Sequence, residues 1–214
     1  MSESGEGRRL KNEPVTGWDA PRLLAFDGGR AMMGAGSPER PAIPCRREGG
    51  GELNAYTCIR SKRDTRAYGS KPVPEDTLSR ILQAGRMAGS AKNLQPCRFV
   101  VLAEEARKKE LAACGQFATH IVTAPVVVAV VIPQDGREFD AGRSAQNMML
   151  AAWAEGLASC PVTMHDAPCA RRILGLPETH RVAIVLAFGY PAPDERRRSS
   201  PRLPLNDLVH HERW

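Results

Sequence analysis

The sequence predicts a domain of the α/β or α+β class, in which amphipathic helices alternate with buried strands. Three observations carry this reading. Pro125-Val126-Val127-Val128-Ala129-Val130-Val131-Ile132 is β-branched nearly throughout, as a strand buried on both faces should be. Residues 75–88 carry apolar side chains at helical spacing. Residues 140–155 form a second helical stretch, rich in small side chains, with another apolar strand beyond it at 182–188.

Taken in order, residues 1–55 stand apart. Ten of the 19 glycines fall in the first 51 positions, with Pro14, Pro21, Pro38, Pro41 and Pro44, and no apolar periodicity persists. Such a stretch cannot bury enough surface to offset its ordering entropy, so a disordered extension is expected, followed by one domain over 56–214. The helix at 75–88 opens after Pro74 with Glu75 and Asp76 in its first turn, and buries Leu78, Ile81, Leu82, Gly85 and Ala88. A Gly89-Ser90 break leads to an amide-rich turn and a strand at 99–102. Residues 104–114 read as a charged surface helix, and 125–132 as the central strand.

The helix at 140–155 carries Ala141, Gly142, Ser144, Ala145, Ala151, Ala152 and Ala154, and ends at Gly156 as a left-handed C-terminal glycine. Small residues on several faces let other helices approach, so it should be central. Residues 160–163 read as a short extended piece, 167–174 as a short helix, and 191–214 as an extended arm packed on a surface.

Composition narrows the function. The net charge is +6, contributed wholly by residues 57–214. Few aromatics lie near the arginine clusters, which argues against nucleic acid. The longest apolar run, Pro125 to Pro133, falls far short of the roughly 20 residues that span a bilayer. The N-terminus has no apolar segment of signal-peptide type, so a cytoplasmic protein is expected. The six cysteines form no CxxC pair. His165 and Cys169 could share a helix face but lack a second pair, so free thiols are expected and a metal site is not.

The chemistry concentrates in three places. One basic cluster runs Arg60-Ser61-Lys62-Arg63-Asp64-Thr65-Arg66; another comprises Arg196, Arg197, Arg198 and Arg202. Between them lies the turn Ser90-Ala91-Lys92-Asn93-Leu94-Gln95-Pro96. This set suits a ligand that is planar and polar at one end and phosphorylated at the other. Two or three charge-assisted hydrogen bonds at about 1.5–3 kcal/mol each would supply much of a micromolar affinity, about 8 kcal/mol.

These segments and their order resemble the flavin-dependent nitroreductases. Lys62-Arg63-Asp64-Thr65-Arg66-Ala67-Tyr68 stands where that family has Arg-Arg-Ser-x-Arg-x-aromatic. Pro72-Val73 and the acidic-capped helix follow, and then Gly89-Ser90-Ala91-Lys92-Asn93-Leu94-Gln95-Pro96-Cys97 in the slot of Pro-Ser-x-x-Asn-x-Gln-Pro-Trp. Asp140-Ala141-Gly142-Arg143-Ser144-Ala145-Gln146-Asn147 with Leu150-Ala151-Ala152, Gly156-Leu157-Ala158, Phe188-Gly189-Tyr190-Pro191 and Arg202-Leu203-Pro204-Leu205 complete the series. The departures are Asp64 for Ser or Thr, Cys97 for Trp and Ala158 for Gly.

The resemblance implies a three-layer α+β fold, with a mostly antiparallel central sheet flanked by helices and an extended C-terminal arm. It implies a homodimer with FMN at the interface and NAD(P)H as co-substrate. Nitro compounds, quinones or similar acceptors would be reduced in a ping-pong cycle. By position, Lys62, Arg63 and Arg202 would hold the phosphate, with Asp64 beside them. Arg66 would reach the N1/O2 edge of the ring. Ser90, Asn93 and Gln95 would meet the ribityl chain and ring edge, and Pro161, Val162 and Thr163 would lie near N5. Gln146 and Asn147 read as helix-packing residues. No side chain need act as nucleophile or general base. The alternative is a protein that stores or senses flavin without turnover.

Overall fold

Val126–Pro133 (β2) is buried along almost its whole length, and the rest of the domain is arranged around it. The computed structural model describes residues 54–193 and 201–214. β2 pairs antiparallel on one side with Arg98–Leu102 (β1) and on the other with His180–Gly189 (β4). β4 pairs antiparallel with Ala158–Val162 (β3), which gives one sheet in the order β1-β2-β4-β3. All these pairings are antiparallel.

Alternation along β2 builds two cores. Val126, Val128, Val130 and Ile132 point to one face, against Glu75–Arg86 (α2) and Glu138–Ala154 (α5) through Ile81, Ala141, Ala145 and Met148. Val127, Ala129 and Val131 point to the other, against Glu105–Ala112 (α3), the single turn His120–Thr123 (α4) and Ala167–Leu174 (α6) through Leu111, Ile121 and Ala170. Each face of the sheet is therefore covered, and the three-layer α+β expectation holds. α2 and α5 pack closely because the contact is built from small groups. Ser144 Oγ donates to Gly85 O at 3.0 Å, and Asn147 Nδ2 donates to Ala84 O at 3.2 Å, the packing role expected for Asn147.

The predicted elements are found with small shifts at their ends, and two short α-helices are additional, α4 and one that opens the domain. Ala55–Ser61 (α1) is capped by Asn54, whose Oδ1 accepts from Thr57 N at 2.9 Å. Trp153 Nε1 donates to Ser61 Oγ at 2.9 Å and ties α1 to α5. Asn54 and Ala55 thus already belong to the folded domain; the rest of the predicted extension, and Arg196 to Arg198, lie outside the described residues.

One expectation needs correction. Cys114 and Cys169 form a disulfide rather than free thiols, because the end of α3 and the start of α6 bring their Cα atoms to 5.6 Å. The arm at 201–214 is exposed throughout in the single chain. No helix among the described residues is long and apolar enough to cross a membrane.

Candidate functional site

Two groups of site residues form, at opposite corners of the sheet. The first starts where α1 ends. Lys62 to Arg66 leave the helix in extended form, and Thr65 N donates to Ser159 O at 3.1 Å. A parallel bridge pairs Asp64 with Ser159. The basic segment is therefore laid beside β3, next to Cys160 and just before Pro161, Val162 and Thr163.

The four charged residues of this segment are engaged differently. Lys62 is almost enclosed, ion-paired to Asp64, with Nζ 3.4 Å from Met149 Sδ. This pairing neutralises the carboxylate that replaces the family's hydroxyl. Arg63 turns Nη1 back onto the carbonyls of Arg60 and Lys62, at 2.9 and 2.8 Å. Arg66 is exposed, with no hydrogen bond or ion pair to any described residue.

Two polar groups on the elements around this segment are buried and unpaired. Ser159 Oγ and His120 Nε2 have no hydrogen-bond partner among the described residues. Burial, and then the charge of Arg66, hold the His120 imidazole below its usual pKa. Burial pushes the Cys160 thiol up, while Arg66 draws it back. The loop before His120 is fastened to the segment after Thr163. Gln116 N donates to His165 Nδ1 at 3.2 Å, Asp166 N donates to Cys114 O at 2.9 Å, and the disulfide closes the same join. A Cβ on Gly115 would lie 2.8 Å from Ala118 Cβ, 3.1 Å from Met164 Cε and 3.3 Å from Thr163 O, so a side chain there would crowd the loop and its join. His165 and Cys169, considered as a metal pair, are thus both otherwise engaged.

The second corner is the amide-rich turn between α2 and β1. Ser90 Oγ accepts from Gln95 N at 2.8 Å, and Ser90 O accepts from Asn93 N at 3.1 Å. Lys92, Asn93 and Gln95 all have positive φ, at 51°, 54° and 50°. Left-handed backbone at three non-glycine positions in four residues is costly and needs support from its surroundings. Arg98 helps supply it, with Nη1 donating to Gln95 O at 2.8 Å and Cys97 O at 3.0 Å. A cavity of about 120 Å³ opens here, lined by Ser90, Gln95, Cys97, Arg98 and Asp140 among others. Burial, and then Asp140, push the Cys97 thiol up.

Strand register separates the two corners. Arg98 pairs with Val131, near the C-terminal end of β2. Ser159 pairs with Phe188, which pairs with Val126 at the opposite end. Three strand spacings across and five residues along amount to on the order of 20 Å. Within one chain, then, Lys62, Arg63, Asp64 and Arg66 join Pro161, Val162 and Thr163, while Ser90, Asn93 and Gln95 remain apart. Arg202 sits on the exposed arm, with no hydrogen bond or ion pair to a described residue.

Sequence reasoning missed His120, Ser159 and Cys160. The available signal was a histidine inside the apolar run Ala118-Thr119-His120-Ile121-Val122 directly before the central strand. Among the described residues no cluster of three His, Cys, Asp or Glu side chains is placed to hold a metal.

The sequence model of the nitroreductase family matches residues 59–137 and 123–190. The chain is 33% identical over 199 residues to an NADH dehydrogenase of Thermus thermophilus, a match covering 73% of this chain and 95% of that protein. It is 26% identical over 181 residues to an NADPH-flavin oxidoreductase of Vibrio harveyi, covering 75% of each. Among solved structures, a Desulfovibrio desulfuricans chain assigned as a nitroreductase and holding FMN aligns with a TM-score of 0.69 at 30% identity. That alignment covers 77% of this chain and 99% of the other.

Proposed function

Because the chain belongs to the nitroreductase family, we propose that it is an NAD(P)H-dependent flavin oxidoreductase that holds FMN and reduces nitro compounds, quinones or similar acceptors. The observation that carries this is the Arg66 corner. An exposed, unpaired guanidinium stands beside β3. A planar ring with a polar edge would meet that guanidinium, and the residues present fit it.

Bound FMN would supply the chemistry, taking hydride from NAD(P)H at N5 in one half-reaction and returning electrons to the acceptor in the other. The protein's part is to bind and orient. Arg66 would set positive charge against the N1/O2 edge and favour the electron-rich ring. Pro161, Val162 and Thr163, fixed at the end of β3, would form the wall near N5 and exclude water.

Lys62 would exchange part of its pairing with Asp64 for the phosphate, and Arg63 keeps guanidinium nitrogens not used by backbone carbonyls. Ser90, Asn93 and Gln95 would come from a second copy, since they lie on the order of 20 Å from Arg66 by register. Arg202 would arrive on the arm in the same way. The cycle would be ping-pong and the assembly a homodimer. The protein would work in the cytoplasm, where NAD(P)H is available. No proton need move through a side chain, so no residue is assigned as a general acid or base.

The test is direct. The purified protein is loaded with FMN and mixed anaerobically with NADH or NADPH. Rapid loss of the flavin's visible absorption is expected, followed by its return on addition of a nitroaromatic or quinone. Flavin that binds but stays oxidised would favour the storage reading, and failure to take up FMN would overturn the assignment.

A further inference from the structure

The described cysteines are used in two ways. Cys58, Cys97 and Cys160 are free thiols, while Cys114 and Cys169 are bridged. Proteins of oxidising compartments pair their thiols into frameworks, whereas a bridge kept beside free thiols in a reducing compartment opens and closes. The two sulfurs of this bridge are unequally placed. Cys114 is 2% exposed and belongs to the core, and Cys169 is half-buried at the core's edge. Residues 165–168, which lead into Cys169, are all exposed, so a thiol approaching from solvent meets Cys169 Sγ first. The sulfur it displaces has a partner at hand: Cys114 Sγ lies 3.8 Å from Glu110 O, an acceptor for the S–H that forms.

We propose that Cys114–Cys169 is a site of thiol–disulfide exchange with a dithiol reductant, and that opening it releases the join that holds residues 163–166. One thiolate of the reductant attacks Cys169 Sγ, the S–S bond breaks, and Cys114 leaves as a thiolate that takes up a proton. The reductant's second thiol then attacks the mixed disulfide and frees Cys169, which is protonated in turn. The protein gains two electrons and two protons, and the dithiol becomes a cyclic disulfide. What remains of the join is weak. Gln116 N donates to His165 Nδ1 at 3.2 Å, Asp166 N donates to Cys114 O at 2.9 Å, and the rings of Phe117 and His165 meet edge to face at 5.9 Å. Gln116, Phe117, His165 and Asp166 are all exposed, so water competes for these contacts. Residues 163–166 continue the end of β3, which the flavin reading above sets near N5. The effect on FMN rests on that reading; the exchange chemistry does not.

The experiment equilibrates the intact protein without air in dithiothreitol buffers of stepped reduced-to-oxidised ratio. Samples are quenched with an alkylating reagent in denaturant, and thiols are assigned by peptide mass. Cys114 and Cys169 are expected to change together and reversibly with the ratio, while Cys58, Cys97 and Cys160 are alkylated throughout. Backbone hydrogen exchange is read on matched samples. Opening should speed exchange in the peptides carrying Gln116 and Asp166 about ten-fold or more and leave β2 unchanged. A bridge that survives excess dithiothreitol until the protein is unfolded overturns the proposal, as does equal exchange of those peptides in both states. The variant carrying Cys114→Ser and Cys169→Ser is expected to exchange like the reduced protein in every buffer; exchange that still follows the ratio overturns the assignment to this pair. FMN affinity, read by fluorescence quenching, is expected to fall about three- to ten-fold on opening. Unchanged affinity overturns the link to the flavin, whereas no FMN binding in either state overturns the flavin reading and leaves the exchange site to stand on alkylation and hydrogen exchange.

Discussion

Lys108 is buried, with Nζ 2.6 Å from Ala124 O and no carboxylate bonded to it, and burial lowers its pKa from the usual 10.5. Below the folded-state pKa both folded and unfolded chains carry the proton, and the desolvation penalty is fully present. Between that pKa and 10.5 the folded chain releases its proton first, so stability should rise with pH over this window. Urea melts of the protein and of Lys108→Met should differ there, with the alkaline rise reduced in the variant. At the proposed ligand site, Arg66→Ala should weaken FMN binding by about 10–100-fold through loss of a charge-assisted contact. Asp64→Asn should act the other way. By releasing Lys62 from its ion pair it should tighten FMN about three- to ten-fold, with a steeper salt dependence. Calorimetric titration at two ionic strengths checks both. The sequence marks Lys62, Asp64 and Arg66 as candidates because their chemistry is linear in the chain. It was silent on His120, whose unpaired nitrogen is created by tertiary burial.

Helices α2 and α5 meet at Gly85. A Cβ there would lie 2.7 Å from Met148 Cγ, 2.9 Å from its Sδ and 3.1 Å from Phe99 Cζ. Gly85→Ala should therefore destabilise the protein. Overpacking costs about 1–3 kcal/mol, against a helix-propensity gain of at most about 1 kcal/mol. Thermal unfolding of Gly85→Ala, alone and with Met148→Ala, should show the two changes to be strongly non-additive. The Cys114–Cys169 bridge spans a sequence separation of 55, and Cys169→Ser should lower stability by about 2–4 kcal/mol. A denaturant midpoint unchanged by reductant would refute that. α2, α6 and β2 were legible because period and capping residues agree over enough residues. α1 and α4 were not, since seven and four residues are too few to display a period. The disulfide was equally opaque, because pairing at such separation follows from how α3 and α6 pack.

At the scale of the molecule, the arm presents Leu203, Leu205, Leu208, Val209 and Trp214 to solvent, apolar side chains that a second copy could cover. Deleting residues 201–214 should shift the proposed dimer to monomer in light scattering and abolish FMN retention together. A truncated protein that stays dimeric would separate the arm from assembly. The three-layer plan could be read from alternating segments. The division of the site could not, because sequence order carries no register and only strand pairing puts Arg66 and Ser90 at opposite corners. That division has a genetic consequence. If each site takes Arg66 from one chain and Ser90 from the other, two separately impaired alleles, Arg66→Ala and Ser90→Ala, should rescue each other when co-expressed. In a mixed dimer one site collects both lesions and its twin collects neither, so activity would return to half of the sites in every heterodimer, whereas no mixture of either allele with itself could restore any.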